Sequence, residues 1–272
     1  MPTEYRDVLI AADELHARLD DPRLSIIDTR KGDGYAASRI PGAVALGVNP
    51  MLHEPGKVIE PDLFATLMSK LGVGLDSEVV TYDDGNNLFG GRLWWVLKHY
   101  GHAQVRVLDG GWDGWLASRH RLETSEPRAP IPSRFVPVVE PDTIASTDRV
   151  LASIGHAERQ LLDVRAVNEW QRQEATEMAN GGHIDSARHL VWSAVIDPDS
   201  HRFRPAAELR AMFLDLGLVP NREVIVYCQG GIRSAHSVLA LKLAGFDQVR
   251  NYEAAWGEWS RRKLPAVIEP LP

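Results

Sequence analysis

The chain has a single cysteine, Cys228, and the residues around it are of types that could do sulfur chemistry. It follows the apolar run Val224-Ile225-Val226-Tyr227 and precedes Gln229-Gly230-Gly231-Ile232-Arg233-Ser234. A thiolate, not a thiol, is the nucleophile, and it is stabilised by backbone N–H groups, helix N-termini and nearby cations. Gly230 and Gly231 let the chain turn sharply enough for successive amides to face inward. A helix predicted to begin near Ser234 adds unpaired N–H groups and partial positive charge, and Arg233 adds a permanent cation. Together these favour an anion at the loop centre. Cys228 is therefore the candidate nucleophile, and Gln229, Gly230, Gly231, Ile232, Arg233 and Ser234 the candidate anion-binding loop. The competing reading is a buried core thiol, since a free cysteine packs as a small apolar side chain. A lone cysteine excludes an intrachain disulfide and a cysteine zinc cluster. Any thiol that reacts with Cys228 must come from outside the chain.

The elements that would position this loop repeat along the sequence. Ile26-Ile27-Asp28-Thr29-Arg30 is echoed by Leu161-Leu162-Asp163-Val164-Arg165, and Ile40-Pro41-Gly42-Ala43 by Ile184-Asp185-Ser186-Ala187. Val79 to Asp84 (VVTYDD) is echoed by Val224 to Gln229 (VIVYCQ), and Val105 to Trp115 by Val249 to Trp259. The matches keep their order at offsets of 135 to 145 residues, with about nine extra residues in the second copy between its Asp-x-Arg and Ile-x-x-Ala elements. Two homologous domains follow, over 1–122 and 143–272. Between them, residues 123–142 carry Pro127, Pro130, Pro132, Pro137 and Pro141, which disfavour a regular helix and predict an extended linker.

Each copy alternates β-rich and helical runs. In the second, strands are predicted over 161–164, 223–227 and 248–252, and helices over 206–215 and 234–244, the latter stopped by Gly245. Alternation of this kind implies an α/β fold, with a mainly parallel sheet flanked by helices in each domain. Ligands bind such folds beyond the carboxyl ends of the strands, which is where Cys228 falls. The formal charge of −7 and the pI near 5.8 argue against nucleic acid or an anionic membrane as partner. There is no long apolar run and no basic-then-apolar start, so a cytoplasmic location is expected.

Cys228 and Arg233 are separated by four residues. Protein tyrosine phosphatases separate their cysteine and arginine by one residue more, because that loop surrounds a phosphate. The shorter loop suits a smaller anion, such as the outer sulfur of a persulfide. The chain resembles the tandem-domain rhodanese family, thiosulfate or 3-mercaptopyruvate sulfurtransferases, over nearly its whole length. The resemblance is carried by Asp163-x-Arg165, Gly182-His183-Ile184, the Cys228-Gln-Gly-Gly-Ile-Arg233-Ser loop and Trp256-Gly257-Glu258-Trp259.

The resemblance implies two tandem rhodanese-like domains, the second catalytic and the first a degenerate copy, with Asp83 at the place of the cysteine. It implies a double displacement. Cys228 takes sulfane sulfur from a small-molecule donor, becomes a persulfide, and yields the outer sulfur to an external thiol or cyanide, with no metal or organic cofactor. Thiosulfate enzymes of the family tend to place cations in this loop, and mercaptopyruvate enzymes a small neutral loop of the Cys-Gly-Ser-Gly-Val-Thr kind. Arg233 therefore favours thiosulfate as donor, with 3-mercaptopyruvate as the alternative. Family members place a donor-binding arginine four residues past the Asp-x-Arg arginine, and Glu169 stands there instead. It would repel a dianion if it faced inward. Its plainer reading is a solvated carboxylate at a helix start. A persulfide carrier or regulatory module with little turnover is a further alternative, and a phosphatase with a shortened loop the least consistent with the spacing.

The remaining residues have structural readings. Asp163 and Arg165 could support the site, and an ion pair at a strand end is the plainer expectation. His183 is expected to pack. His236, two residues past Ser234, is expected to turn outward. Arg92 could reach the interdomain cleft. The ten histidines lack metal-ligand spacing. Trp94, Trp95, Trp112, Trp115, Trp256 and Trp259 are expected to pack the core or the domain interface.

Overall fold

The computed structural model describes residues 5–49, 52, 54–127, 129–171 and 182–267. In chain order the strands are β1 (Leu9–Ile10), β2 (Leu24–Asp28), β3 (Val44–Ala45), β4 (Glu78–Tyr82), β5 (Val105–Leu108), β6 (Arg159–Asp163), β7 (His183–Ile184), β8 (Arg188–His189), β9 (Glu223–Tyr227), β10 (Val249–Asn251) and β11 (Ala266–Val267). The α-helices are α1 (Tyr5–Val8), α2 (Ala12–Ala17), α3 (Gly34–Ala37), α4 (Pro61–Lys70), α5 (Leu88–His99), α6 (Gly111–Ala117), α7 (Thr147–Leu151), α8 (Val167–Trp170), α9 (Ala206–Asp215), α10 (Ile232–Leu243) and α11 (Ala255–Arg261).

Two parallel sheets result, in the orders β1-β5-β4-β2-β3 and β10-β9-β6-β8. Strands β5, β4, β2 and β3 of the first correspond to β10, β9, β6 and β8 of the second, so the repeat in the sequence is a repeat of topology. A bridge from Ile144 to Asn251 takes the place that β1 holds beside β5. β11 and β7 form a small antiparallel pair. No helix among the described residues is long and apolar enough to cross a membrane.

Successive residues of the central strands enter different cores, as the two-residue period of a strand requires. Val224, Val226 and Cys228 join one core, and Ile225 and Tyr227 another. Val79 and Val80 divide the same way in the first domain. The first of these cores is continuous through both domains. It runs from Phe64 and Leu93 to Val226 and Leu239, because α5 and α10 pack against each other between the sheets. Strands buried on both faces explain why 224–227 reads as an unbroken apolar run.

Helix α9 and strand β9 fall where the sequence predicts them. Three predicted elements are displaced by one or two residues. β6 starts at Arg159, β10 is limited to Val249–Asn251, and α10 begins at Ile232 rather than near Ser234. Gly231 at φ +91 makes the whole turn by itself, so the helix can begin at once. The extra residues of the second copy fall mainly on 172–181, outside the described residues.

The proline-rich segment holds no regular helix or strand among its described residues, apart from a bridge at Glu123 and a single 3₁₀ turn from Pro141. It is not a free tether. Ser133, Val138 and Glu140 donate their N–H groups to the carbonyls of Ser69, Tyr100 and His99, and Phe135 is buried against Phe64. The segment is thus strapped along the first domain.

Candidate active site

Cys228 is the first residue after β9, at the carboxyl edge of the second sheet. Only 1% of it is exposed, and on one side it touches the shared apolar core. Its other side is polar. Sγ accepts the Gly231 N–H at 3.2 Å and lies 3.5 Å from the Ser234 hydroxyl, which donates to it. Both readings of the lone cysteine are therefore partly right: it is a buried thiol, and it faces hydrogen-bond donors.

What surrounds the loop explains why its amides turn as they do. Four consecutive carbonyls are held from outside. Cys228 O accepts from Trp256 N–H (2.9 Å), Gln229 O from Gly257 N–H (3.0 Å) and Gly230 O from Gly56 N–H (3.2 Å). Gly231 O accepts from Asn251 Nδ2 (3.1 Å) and, more weakly, from Arg92 (3.5 Å). A trans peptide points its C=O and the following N–H in opposite directions. The N–H groups of Gln229, Gly230, Gly231 and Ile232 are thereby directed to the other side, and that of Gly231 meets the sulfur. Gly230 is needed for space, since a Cβ there would lie 2.8 Å from Pro55. Gly231 is needed for both backbone angle and space, since its Cβ would lie 2.8 Å from the Glu253 carboxylate.

That carboxylate belongs to a buried clamp across the domain interface. Arg92, fully buried in the first domain, donates to both Glu253 oxygens (2.5 and 2.9 Å) and to the carbonyls of Leu52 and Lys57. Asn251 Nδ2 donates to Glu253 at 2.7 Å. Arg92 does reach the cleft. Asn251, Glu253, Pro55 and Gly56 are contacts the sequence reading missed. Glu253 had a signal, for it is the repeat counterpart of Asp109, 144 residues earlier. Asp109 also reaches across the interface, but to a different kind of partner, accepting the Phe203 N–H from the second domain (3.1 Å).

Arg233 is not the free cation that the loop sequence suggests. Its guanidinium forms a two-pronged pair with Glu169, at 2.6 and 2.8 Å. Burial opposes the Arg233 charge, but the bonds to Glu169 and attraction to Cys228 outweigh it and hold its pKa above the ordinary value. Glu169 is half-buried. Burial raises its carboxyl pKa and Arg233 lowers it further, with a net downward shift. The same carboxylate accepts the Ala166 N–H at 2.9 Å, at the start of α8. Glu169 is thus a helix-start carboxylate, as expected, but a half-buried one that is turned toward Arg233. It neutralises the loop's cation, because α8 delivers it within reach of α10.

Asp163 and Arg165 bind each other through Nε and Nη2 (2.6 to 3.0 Å), and Arg165 also donates to Gly182 O. The Arg165 guanidinium lies 4.5 Å from the centre of the Trp256 ring, whose backbone N–H holds Cys228 O. Asp28, Arg30 and Trp112 repeat the arrangement in the first domain. The pair thus underlies the loop without bonding to Cys228. His183 stacks on Trp170 at 3.5 Å. His236 is fully buried, a correction to its expected outward position. The outer face of α10 packs on α5, where the missing side chain of Gly91 leaves room for the imidazole. Nε2 is 3.1 Å from Asn86 O and so carries the proton, and burial lowers the pKa to about 4. The six tryptophans named above are all buried.

The first copy's loop is one residue longer before its helix and carries a carboxylate at its centre. Asp83 follows β4 as Cys228 follows β9. Its carboxylate accepts N–H groups from Gly85 (2.7 Å), Asn87 (2.8 Å), Phe89 (2.6 Å) and Gly90 (2.9 Å). The residue does more than repel anions: it fills the place they would take. Burial raises the Asp83 pKa against these four bonds, which favour the ionised form.

Comparison with known proteins bears on both domains. The Rhodanese-like domain family matches residues 11–118 and again 146–262. The chain is 33% identical to the sulfur carrier protein TtuD of Thermus thermophilus, over 94% of each chain. It is 35% identical to a thiosulfate sulfurtransferase of Corynebacterium glutamicum, covering 92% of this chain and 87% of that protein. Among solved structures it resembles SseA of Escherichia coli, a 3-mercaptopyruvate sulfotransferase. That match has a TM-score of 0.80 and 28% identity, covering 91% of this chain and 98% of the other.

Proposed function

The chain belongs to the rhodanese family of sulfurtransferases, and from that premise we propose that it moves sulfane sulfur from thiosulfate to a thiophilic acceptor through a persulfide on Cys228. The observation that carries this reading is the geometry at the sulfur. A buried Sγ at the end of β9 receives the Gly231 N–H, inside a loop whose four carbonyls are tied outward.

In the first half-reaction the Cys228 thiolate attacks the outer sulfur of thiosulfate. A Cys228 S–S bond forms, the donor's S–S bond breaks, and sulfite leaves with that bond's electron pair. The negative charge stays on the outer sulfur of the persulfide. The inward-directed amides of the loop are placed to stabilise that charge without reorganising. In the second half-reaction cyanide or a thiolate attacks the outer sulfur, and Cys228 leaves as thiolate. Asp163 and Arg165 support the loop through Trp256.

Incubation with thiosulfate is expected to add the mass of one sulfur atom to Cys228, and Cys228→Ser to abolish both the adduct and thiocyanate formation. An adduct on another residue, or turnover by the Cys228→Ser protein, contradicts the reading. A second reading, with 3-mercaptopyruvate as donor, is favoured by the Arg233–Glu169 pair, which leaves a near-neutral loop better matched to a monoanion. Parallel assays with the two donors separate them.

A further inference from the structure

Cys228 is 1% exposed, whereas the Arg233 and Glu169 side chains are 22% and 23% exposed. The ion pair is thus the partly solvated boundary beside a buried thiol. Arg233 is the only cationic residue of the 228–234 loop, and Glu169 occupies it with both oxygens. The Glu169 carboxylate is itself pinned by the Ala166 N–H, so it does not swing away freely. An anionic donor that needs Arg233 must share the guanidinium with a fixed carboxylate, and the resulting repulsion grows with the donor's charge.

We propose that Glu169 is a specificity-determining residue that penalises doubly charged sulfur donors relative to singly charged ones, by holding Arg233 in a pre-formed neutral pair. The proposal rests on the reading of Cys228 as the sulfur-accepting nucleophile. Thiosulfate is then used at a handicap that Glu169 sets, and a singly charged donor such as 3-mercaptopyruvate escapes most of it. Glu169 acts on the binding of the donor. It takes no proton and forms no bond during transfer.

The test compares wild type, Glu169→Gln and Glu169→Asp. Glutamine keeps the shape and an oxygen for the Ala166 N–H but removes the charge. Aspartate keeps the charge. Persulfide formation on Cys228 is measured with thiosulfate and with 3-mercaptopyruvate. The expected result for Glu169→Gln is a rise of about tenfold or more in the thiosulfate-to-mercaptopyruvate ratio of kcat/KM, seen mainly as a lower KM for thiosulfate and reduced by added salt. Glu169→Asp is expected to stay near the wild-type ratio. An equilibrium measurement needs no turnover: thiosulfate should bind Cys228→Ser/Glu169→Gln about tenfold more tightly than Cys228→Ser.

If wild type takes sulfur from either donor and the ratio in Glu169→Gln is unchanged or falls, the assignment of Glu169 is wrong and the function stands. If wild type takes sulfur from neither donor, the proposed function fails and this inference goes with it. Should Glu169→Gln not fold, Glu169→Ala in the same binding assay decides, with weaker or equal thiosulfate binding counting against the proposal.

Discussion

Replacing Arg92 by methionine tests whether the first domain holds the Cys228 loop in place. The substitution keeps most of the apolar stem and removes a guanidinium that is fully buried and bonded to Glu253, Leu52 O, Lys57 O and Gly231 O. Glu253, 6% exposed at its side chain, is then left without its counter-charge. Breaking a buried pair from one side costs about 3–5 kcal/mol. Asn251 still donates to Glu253 at 2.7 Å, so the lower end, about 3 kcal/mol, is expected. Gly231 loses a neighbour on its carbonyl, and its N–H is the one that meets Sγ. Displacement of that amide should slow persulfide formation by roughly tenfold to a hundredfold. Urea titration gives the stability, and single-turnover mass spectrometry the rate. The control is Arg92→Met with Glu253→Gln, which removes both charges. The double variant should be more stable than the sum of the single effects by at least about 1 kcal/mol. Additivity within about 0.5 kcal/mol, or an unchanged rate in Arg92→Met, refutes the clamp.

Three further outcomes follow from the same geometry. His236 titrates at about 4 in the folded chain against an ordinary 6.5. The stability its neutral form carries is complete above pH 6.5 and is lost as pH falls toward 4, by about 2 kcal/mol at pH 5. Acid unfolding of His236→Gln should show a shallower dependence over that range, and an identical slope contradicts the assignment. Gly231→Ala meets both a positive φ and the Glu253 carboxylate. It should lose at least about 2 kcal/mol in urea titration and most persulfide formation, whereas wild-type kinetics in this variant would mean the loop adjusts freely. Asp83→Ala leaves four N–H groups without their acceptor and should cost about 2–4 kcal/mol of stability. Sulfate or chloride should restore part of that loss. Absence of salt rescue indicates that the emptied loop collapses instead of presenting its amides.

Much of the fold was legible because its signals are local. Two copies of an apolar run ending in a polar loop, at a steady offset, specify two α/β units whatever the details. The run 223–227 and the helix 206–215 have unambiguous periodicity and clear breakers, and they lie where the residues place them. The start of α10 was misjudged because two adjacent glycines hide which one turns, and only the backbone angle of Gly231 decides it. The site's electrostatics were not legible. Arg233 reads as a free cation until α8 brings Glu169 beside it, from 64 residues away. His236 reads as exposed until Gly91, in the other domain, is seen to make room for it. Asn251 and Glu253 lie beyond the next helix and touch the loop only through the strand order β10-β9, which sequence periodicity does not encode.

The first domain's loop is filled by the Asp83 carboxylate, and that domain also bonds to the loop of the second through Arg92 and Gly56. Arg92 and His236 stand at equivalent positions of the repeat, 144 residues apart, and each reaches from its own helix to the other domain's loop. The partners differ. Arg92 meets Glu253 and Gly231 beside the thiol, whereas His236 meets Asn86 beside Asp83. A permanent cation faces the loop that carries the thiol. A neutral imidazole faces the loop that has already closed on a carboxylate. Isolating residues 143–272 would strip Gly230 O of its Gly56 partner and Glu253 of Arg92 in one step, and would expose the apolar seam between α5 and α10. The isolated second half should therefore show weakened persulfide formation before it shows loss of secondary structure. Adding the separate first half should restore the rate in a concentration-dependent way. Full activity of residues 143–272 alone means that the loop shapes itself, and that the interdomain bonds are a consequence of its conformation and not its cause.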